Sequence, residues 1–154
     1  MAWLWITLIV LALIGSLTWI LPSPAERLQG RRRAEALTLG MKVRIFTLEN
    51  WVSERLGQEQ ITQYLLACDD KPKPFAVWRV IDREEPWVSS PKSASWEVLR
   101  TTLHGVLDDF PPQILGVGAE GRMVWVAWND GGPGPEIPEI RALLQRIASL
   151  PNMN

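Results

Sequence analysis

Residues 2–21, AWLWITLIVLALIGSLTWIL, carry no charge, and every Asp, Glu, Lys and Arg of the chain lies beyond residue 25. Twenty residues wound into a helix rise ~30 Å, the depth of a bilayer's hydrocarbon core. Trp3 and Trp5 stand near one end and Trp19 near the other, where indole rings anchor a span at both headgroup levels. Thr7, Ser16 and Thr18 are compatible with such a helix because their hydroxyls can bond its own carbonyls. Ser23-Pro24-Ala25 has the small-x-small form of a signal cleavage site. No Lys or Arg precedes the apolar run, however, and the run exceeds the ~7–15 residues of a signal core. The sequence therefore predicts a retained transmembrane helix over 2–21.

Orientation follows from the flanks. Arg27, Arg31, Arg32 and Arg33 follow the span within a dozen residues, and excess basic charge stays on the cytoplasmic side. The expectation is a single-pass protein with its N-terminus outside and the rest cytosolic, at the inner membrane of a bacterium. Arg31, Arg32 and Arg33 would set this topology, and they could also dock to anionic headgroups of the lipid bilayer.

The length of 154 residues allows one ordinary domain beyond the span. A single Cys excludes a disulfide scaffold, 47% hydrophobic content excludes disorder, and a net charge of −1 argues against a nucleic-acid partner. Ser23-Pro24 starts a helix and Gly40 ends it, giving a basic juxtamembrane stalk over 22–40 with a thin apolar stripe (Ala25, Leu28, Ala36, Leu39) and a largely solvated surface. Residues 41–49 alternate as a half-buried strand, and 61–69 and 75–82 read as two strands joined by a DKPKP turn. A loop covers 84–93. Trp96, Leu99, Leu103, Val106, Leu107 and Phe110 stripe an amphipathic helix with Ser95 as its N-cap. Residues 113–118 and 122–129 form a hairpin, and Ile137 to Leu150 a last helix. The fold class is thus α+β: a small two-layer domain over 41–150, ordered β-β-β-α-β-β-α, with a mostly antiparallel sheet and two helices on one face.

Chemical motifs are sparse. GVGAEG at 116–121 has the spacing of a dinucleotide fingerprint, but the β-branched and aromatic run after it makes it a hairpin turn. His104 and Asp108, four apart on a helix, suit a surface pair. A catalytic reading would enlist Cys68 as nucleophile with His104, or the pairs Asp69-Asp70 and Asp108-Asp109 as acids or metal ligands. None of these has the spacing of a known catalytic or metal site, so no catalytic residue, cofactor, metal or small-molecule substrate is expected.

Tryptophan is the unusual feature: six of the nine lie outside the apolar run. Trp125 and Trp128, three positions apart on a strand, point to opposite sheet faces. With helices on one face only, Trp78 and either Trp125 or Trp128 would be exposed on the other and bind a partner; alternatively the indoles fill the core.

The stretch WILPSPAERLQGRRRAEALTLGMKVRIF resembles the span-to-cytosol junction of the YajC family, accessory subunits of the bacterial Sec translocase. The resemblance rests on Pro22, Arg27, Arg31, Arg32, Arg33 and Gly40. The Trp-rich remainder departs from that family and is similar to uncharacterised single-pass inner-membrane proteins of gammaproteobacteria. The sequence-based expectation is a non-enzymatic interaction or assembly accessory protein that binds a membrane protein complex through its span and Trp-rich domain. The alternatives are a membrane-tethered enzyme and a Sec-translocase accessory subunit.

Overall fold

The computed structural model of the chain describes residues 2–80, 84–90 and 96–150, with side chains of the first helix described at 3–16 and 20. That helix, α1 (Ala2–Ile20), has all of these side chains exposed. The Thr7 and Ser16 hydroxyls donate to the carbonyls of Trp3 and Leu13, each at 2.8 Å, as expected of apolar helices. Among the described residues no helix is long and apolar enough to cross a membrane. The unbroken run of described side chains in α1, 3–16, rises ~21 Å, and the expected span extends past it at both ends.

α2 (Pro24–Thr38) begins and ends where the sequence predicts. Ser23 and Glu26 form a reciprocal capping box over Pro24. At the other end Gly40 takes φ 78°, so that Gly40 and Met41 return hydrogen bonds to Leu37 and Ala36 and close the helix.

The remaining elements are β1 (Lys42–Thr47), α3 (Asn50–Leu56), β2 (Gln60–Ala67), β3 (Phe75–Arg79), β4 (Trp87–Ser89), α4 (Trp96–Leu107), β5 (Ile114–Glu120), β6 (Met123–Trp128) and α5 (Ile137–Ala148). The fold is α+β, with five helices and one six-stranded antiparallel sheet among the described residues, ordered β1-β2-β6-β5-β3-β4. Two elements depart from the expectation. The polar stretch after β1 forms α3, too short to show a helical stripe, and the loop over 84–93 contains β4, too short to show alternation. β2 and β3 are not partners either. The β5–β6 hairpin inserts between them, because both strands are apolar on both faces and take central positions. The expected N-cap Ser95 and the end of the third expected strand, 81–82, lie outside the described residues.

One sheet face carries the main core. Ala36 of α2, Leu99 and Leu103 of α4, and Ile140 and Leu144 of α5 pack against Tyr64, Val77, Val117, Val126 and Trp128. The other face holds Ile61, Leu65, Trp78, Trp125 and Ala127 together with Val52 of α3.

The sheet covers that second face by curling. Adjacent strands lie ~4.8 Å apart, so four strand steps from β1 to β3 would span ~19 Å if flat. Yet the rings of Phe46 on β1 and Trp78 on β3 stack with centroids 6.4 Å apart. Beyond the strand ends, the Ser90 hydroxyl after β4 donates to the Glu49 carboxylate after β1 at 3.3 Å, closing the two sheet edges together. A bulge at Leu115 supplies the bend, since Ile114 faces Trp128 and Gly116 faces Ala127. Gly116 and Gly118 then leave room for indoles lying against β5. A Cβ on Gly116 would come within 2.5 Å of the Trp78 ring, and one on Gly118 within 2.5 Å of the Phe75 carbonyl. The spaced glycines of GVGAEG are aromatic-packing positions, and Gly121 (φ 61°) makes the hairpin turn.

Candidate functional site

Two constellations stand out. The first joins α2 to the sheet. Asp130, just past β6, has its side chain 1% exposed, and its carboxylate accepts from Arg33 Nε at 2.8 Å and Arg33 Nη2 at 3.2 Å. The Tyr64 hydroxyl donates to the same group at 3.0 Å and the Thr62 hydroxyl at 3.3 Å. Arg32 donates to the backbone carbonyls of Asp130 at 2.8 Å and Gly132 at 2.6 Å, and its guanidinium lies 4.6 Å from the Trp128 ring centroid. Hydrogen bonding to Asp130 raises the Arg33 pKa. Burial, together with the Asp130 charge, pushes the Tyr64 hydroxyl well above the usual tyrosine range.

This network fastens α2 to the sheet, although ten of its fifteen residues are exposed, as expected of a largely solvated helix. Its inner face runs Leu28, Gln29, Arg32, Arg33, Ala36 and Leu39, so two arginines are set into the thin apolar stripe. The sequence could not reveal this because their acceptors come from residues about a hundred positions away. Of the three consecutive arginines only Arg31 is exposed.

The second constellation is the open mouth of the curled sheet, a cavity of about 360 Å³. Buried Trp125 and Gln63 line it with Phe46 and Ala76, Arg44 and Glu120 form part of its rim, and the Phe75 side chain turns away into the main core. The Arg44 guanidinium donates to the Gln63 side-chain oxygen at 2.7 Å and to Glu120 at 2.9 Å. That fixes the orientation of the Gln63 amide and leaves its Nε2, fully buried, with no hydrogen-bond partner. A concave, aromatic-lined mouth with a few convergent polar groups has the general character of a ligand site.

The structure scatters the other predicted residues. Trp78 (3% exposed), Trp125 (4%) and Trp128 (0%) are all buried, where exposure of Trp78 and one of the others was expected. The opposite orientation of Trp125 and Trp128 holds: they belong to separate cores. The expected bare face is missing because the sheet curls over it and α3 covers it. Trp3 and Trp5 are exposed on α1; the Trp19 side chain lies outside the described residues.

Cys68 and His104 line different cavities. Burial raises the Cys68 thiol pKa, the reverse of thiolate activation. His104 Nδ1 lies 3.1 Å from Asp108 on the exposed side of α4. Asp69 and Asp70 line a cavity beside Cys68, and Asp109 accepts from Arg146 at 2.9 Å. Among the described residues no three His, Cys, Asp or Glu side chains gather where a metal ion could sit.

The sequence reading passed over Asp130, Gln63 and Arg44. Asp130 sits in a WND turn and looks solvated, whereas Gln63 breaks the apolar inward row Ile61-x-Leu65 on β2. That break is the one signal that could have found it. Comparison of the chain with protein-family models, curated proteins and solved structures finds no match.

Proposed function

We propose that the chain is a non-enzymatic interaction module anchored by α1 in a bacterial inner membrane, with the sheet domain at the cytosolic face engaging a membrane protein complex. The observation that carries this reading is the contrast between α1 and the rest. Apolar side chains at 3–16 are exposed all round, while beyond residue 21 most large apolar residues pack into two cores, with Leu37, Ile45 and Val98 exposed singly. An uncharged helix that is apolar on every side calls for an apolar surround. Only residues 21–23 separate α1 from α2, and α2 is fastened to the sheet through Asp130, so the domain would ride close to the bilayer surface. Exposed Arg27 and Arg31 support the cytosolic side. The test is a pair of C-terminal fusions to the full chain. Fused alkaline phosphatase should be inactive and a fused fluorescent protein should glow, both in carbonate-resistant membranes. An active phosphatase, or release of the chain by carbonate, would overturn the reading. The double variant Cys68→Ala/His104→Ala should complement a deletion strain fully; loss of complementation at normal protein levels would favour an enzyme.

A further inference from the structure

We infer that the mouth of the curled sheet binds an apolar side chain of a partner polypeptide together with that residue's backbone carbonyl. The inference rests on the reading of the chain as an interaction module and names how it would recognise its partner.

Three observations converge. The cavity is concave, about 360 Å³, and lined by Trp125, Phe46 and Ala76, which suits an aliphatic or aromatic side chain. Gln63 Nε2 is a fully buried donor in that lining without a partner. Buried donors are normally satisfied, and a carbonyl oxygen is the neutral acceptor that would complete this one. The rim's Arg44 is already paired with Glu120, which leaves it unavailable to an anionic ligand, and Glu49 accepts from Ser90 and from Trp51 Nε1 at 2.8 Å. These rim groups offer donors and acceptors side by side, which matches the alternating N–H and C=O groups of a crossing peptide and not a purely apolar small molecule.

Access is built in. The Glu120 side chain is 69% exposed and its ion pair with Arg44 is weak, so Glu120 can swing aside while Arg44 keeps its hydrogen bond to the Gln63 oxygen.

The test uses the full chain, ¹⁵N-labelled in lipid nanodiscs, titrated with N-acetyl-L-leucine N-methylamide and, separately, with 4-methyl-2-pentanone. The peptide analogue should give saturable shifts at the Gln63 side-chain amide and the Trp125 indole N–H. Ala76, half-buried at the same rim, offers a plug: Ala76→Leu should abolish the shifts while the rest of the spectrum stays folded. Gln63→Leu should weaken binding at least tenfold. Absence of saturable shifts at tens of millimolar, or undiminished binding by a folded Ala76→Leu chain, would overturn the site. Equal or tighter binding of the ketone would overturn the assignment to a polypeptide. The fusion reporters above read topology alone, so failure here is distinguishable from failure of the anchored reading.

Discussion

Replacing Asp130 with Ala tests whether α2 belongs to the domain or merely leads to it. The substitution removes the acceptor of four hydrogen bonds, two from Arg33 and one each from Tyr64 and Thr62. Tyr64 is fully buried, and orphaning its hydroxyl costs ~1–3 kcal/mol. The Arg33 side chain is 33% exposed and regains some water, so its loss falls at the low end of the ~3–5 kcal/mol for breaking a buried ion pair. Together these give about 4 kcal/mol, a large share of the ~5–15 kcal/mol that stabilises a typical domain. With a urea dependence of ~2 kcal/mol per molar, the midpoint should fall by about 2 M. The measurement is urea unfolding of the full chain in nanodiscs, followed by near-ultraviolet circular dichroism, which reports the packed indoles. The double variant Tyr64→Phe/Asp130→Ala should lose less than the sum of the singles, because no hydroxyl is left stranded. A midpoint shift under about 0.3 M for Asp130→Ala would refute the claim that this network holds α2 to the sheet.

The same network predicts an alkaline weakness. Tyr64 keeps its proton in the folded chain at pH values where the unfolded chain has lost it. Its contribution should therefore be complete below about pH 10 and decline as the pH rises further, and Tyr64→Phe should flatten that decline in urea midpoints taken from pH 8 to 11. Gly118→Ala places a methyl against the Phe75 carbonyl, which cannot yield as a side chain can; it should cost ~1–3 kcal/mol by thermal unfolding. Trp128→Ala empties a fully buried site beneath Arg32 and should lower stability by ~3–5 kcal/mol. Ser23→Ala breaks the capping box at the head of α2 and should cost ~1 kcal/mol in the same unfolding assay.

Local rules settled a good part of this protein. The charge-free run, the α2 boundaries at Ser23 and Gly40, the stripes of α4 and α5, and the β5–β6 hairpin depend on residues a few positions apart, so periodicity and turn chemistry suffice to find them. The opposite orientation of Trp125 and Trp128 is legible for the same reason, since a strand alternates every residue. What required the tertiary structure lies between residues far apart in sequence. Arg32 and Arg33 read from sequence only as basic residues beside an apolar run; their hydrogen bonds to Asp130 and Gly132 depend on residues that arrive from beyond β6. Trp78 and Trp125 look like exposed docking groups until the sheet curls, because curvature is a property of six strands and a bulge together, not of any one strand's pattern. The mouth, with the partnerless Nε2 of Gln63, exists only once that curl brings β1 round to β4. Side-chain alternation along a strand assigns each residue a face; only the assembled sheet decides whether that face meets water, a helix or the sheet itself.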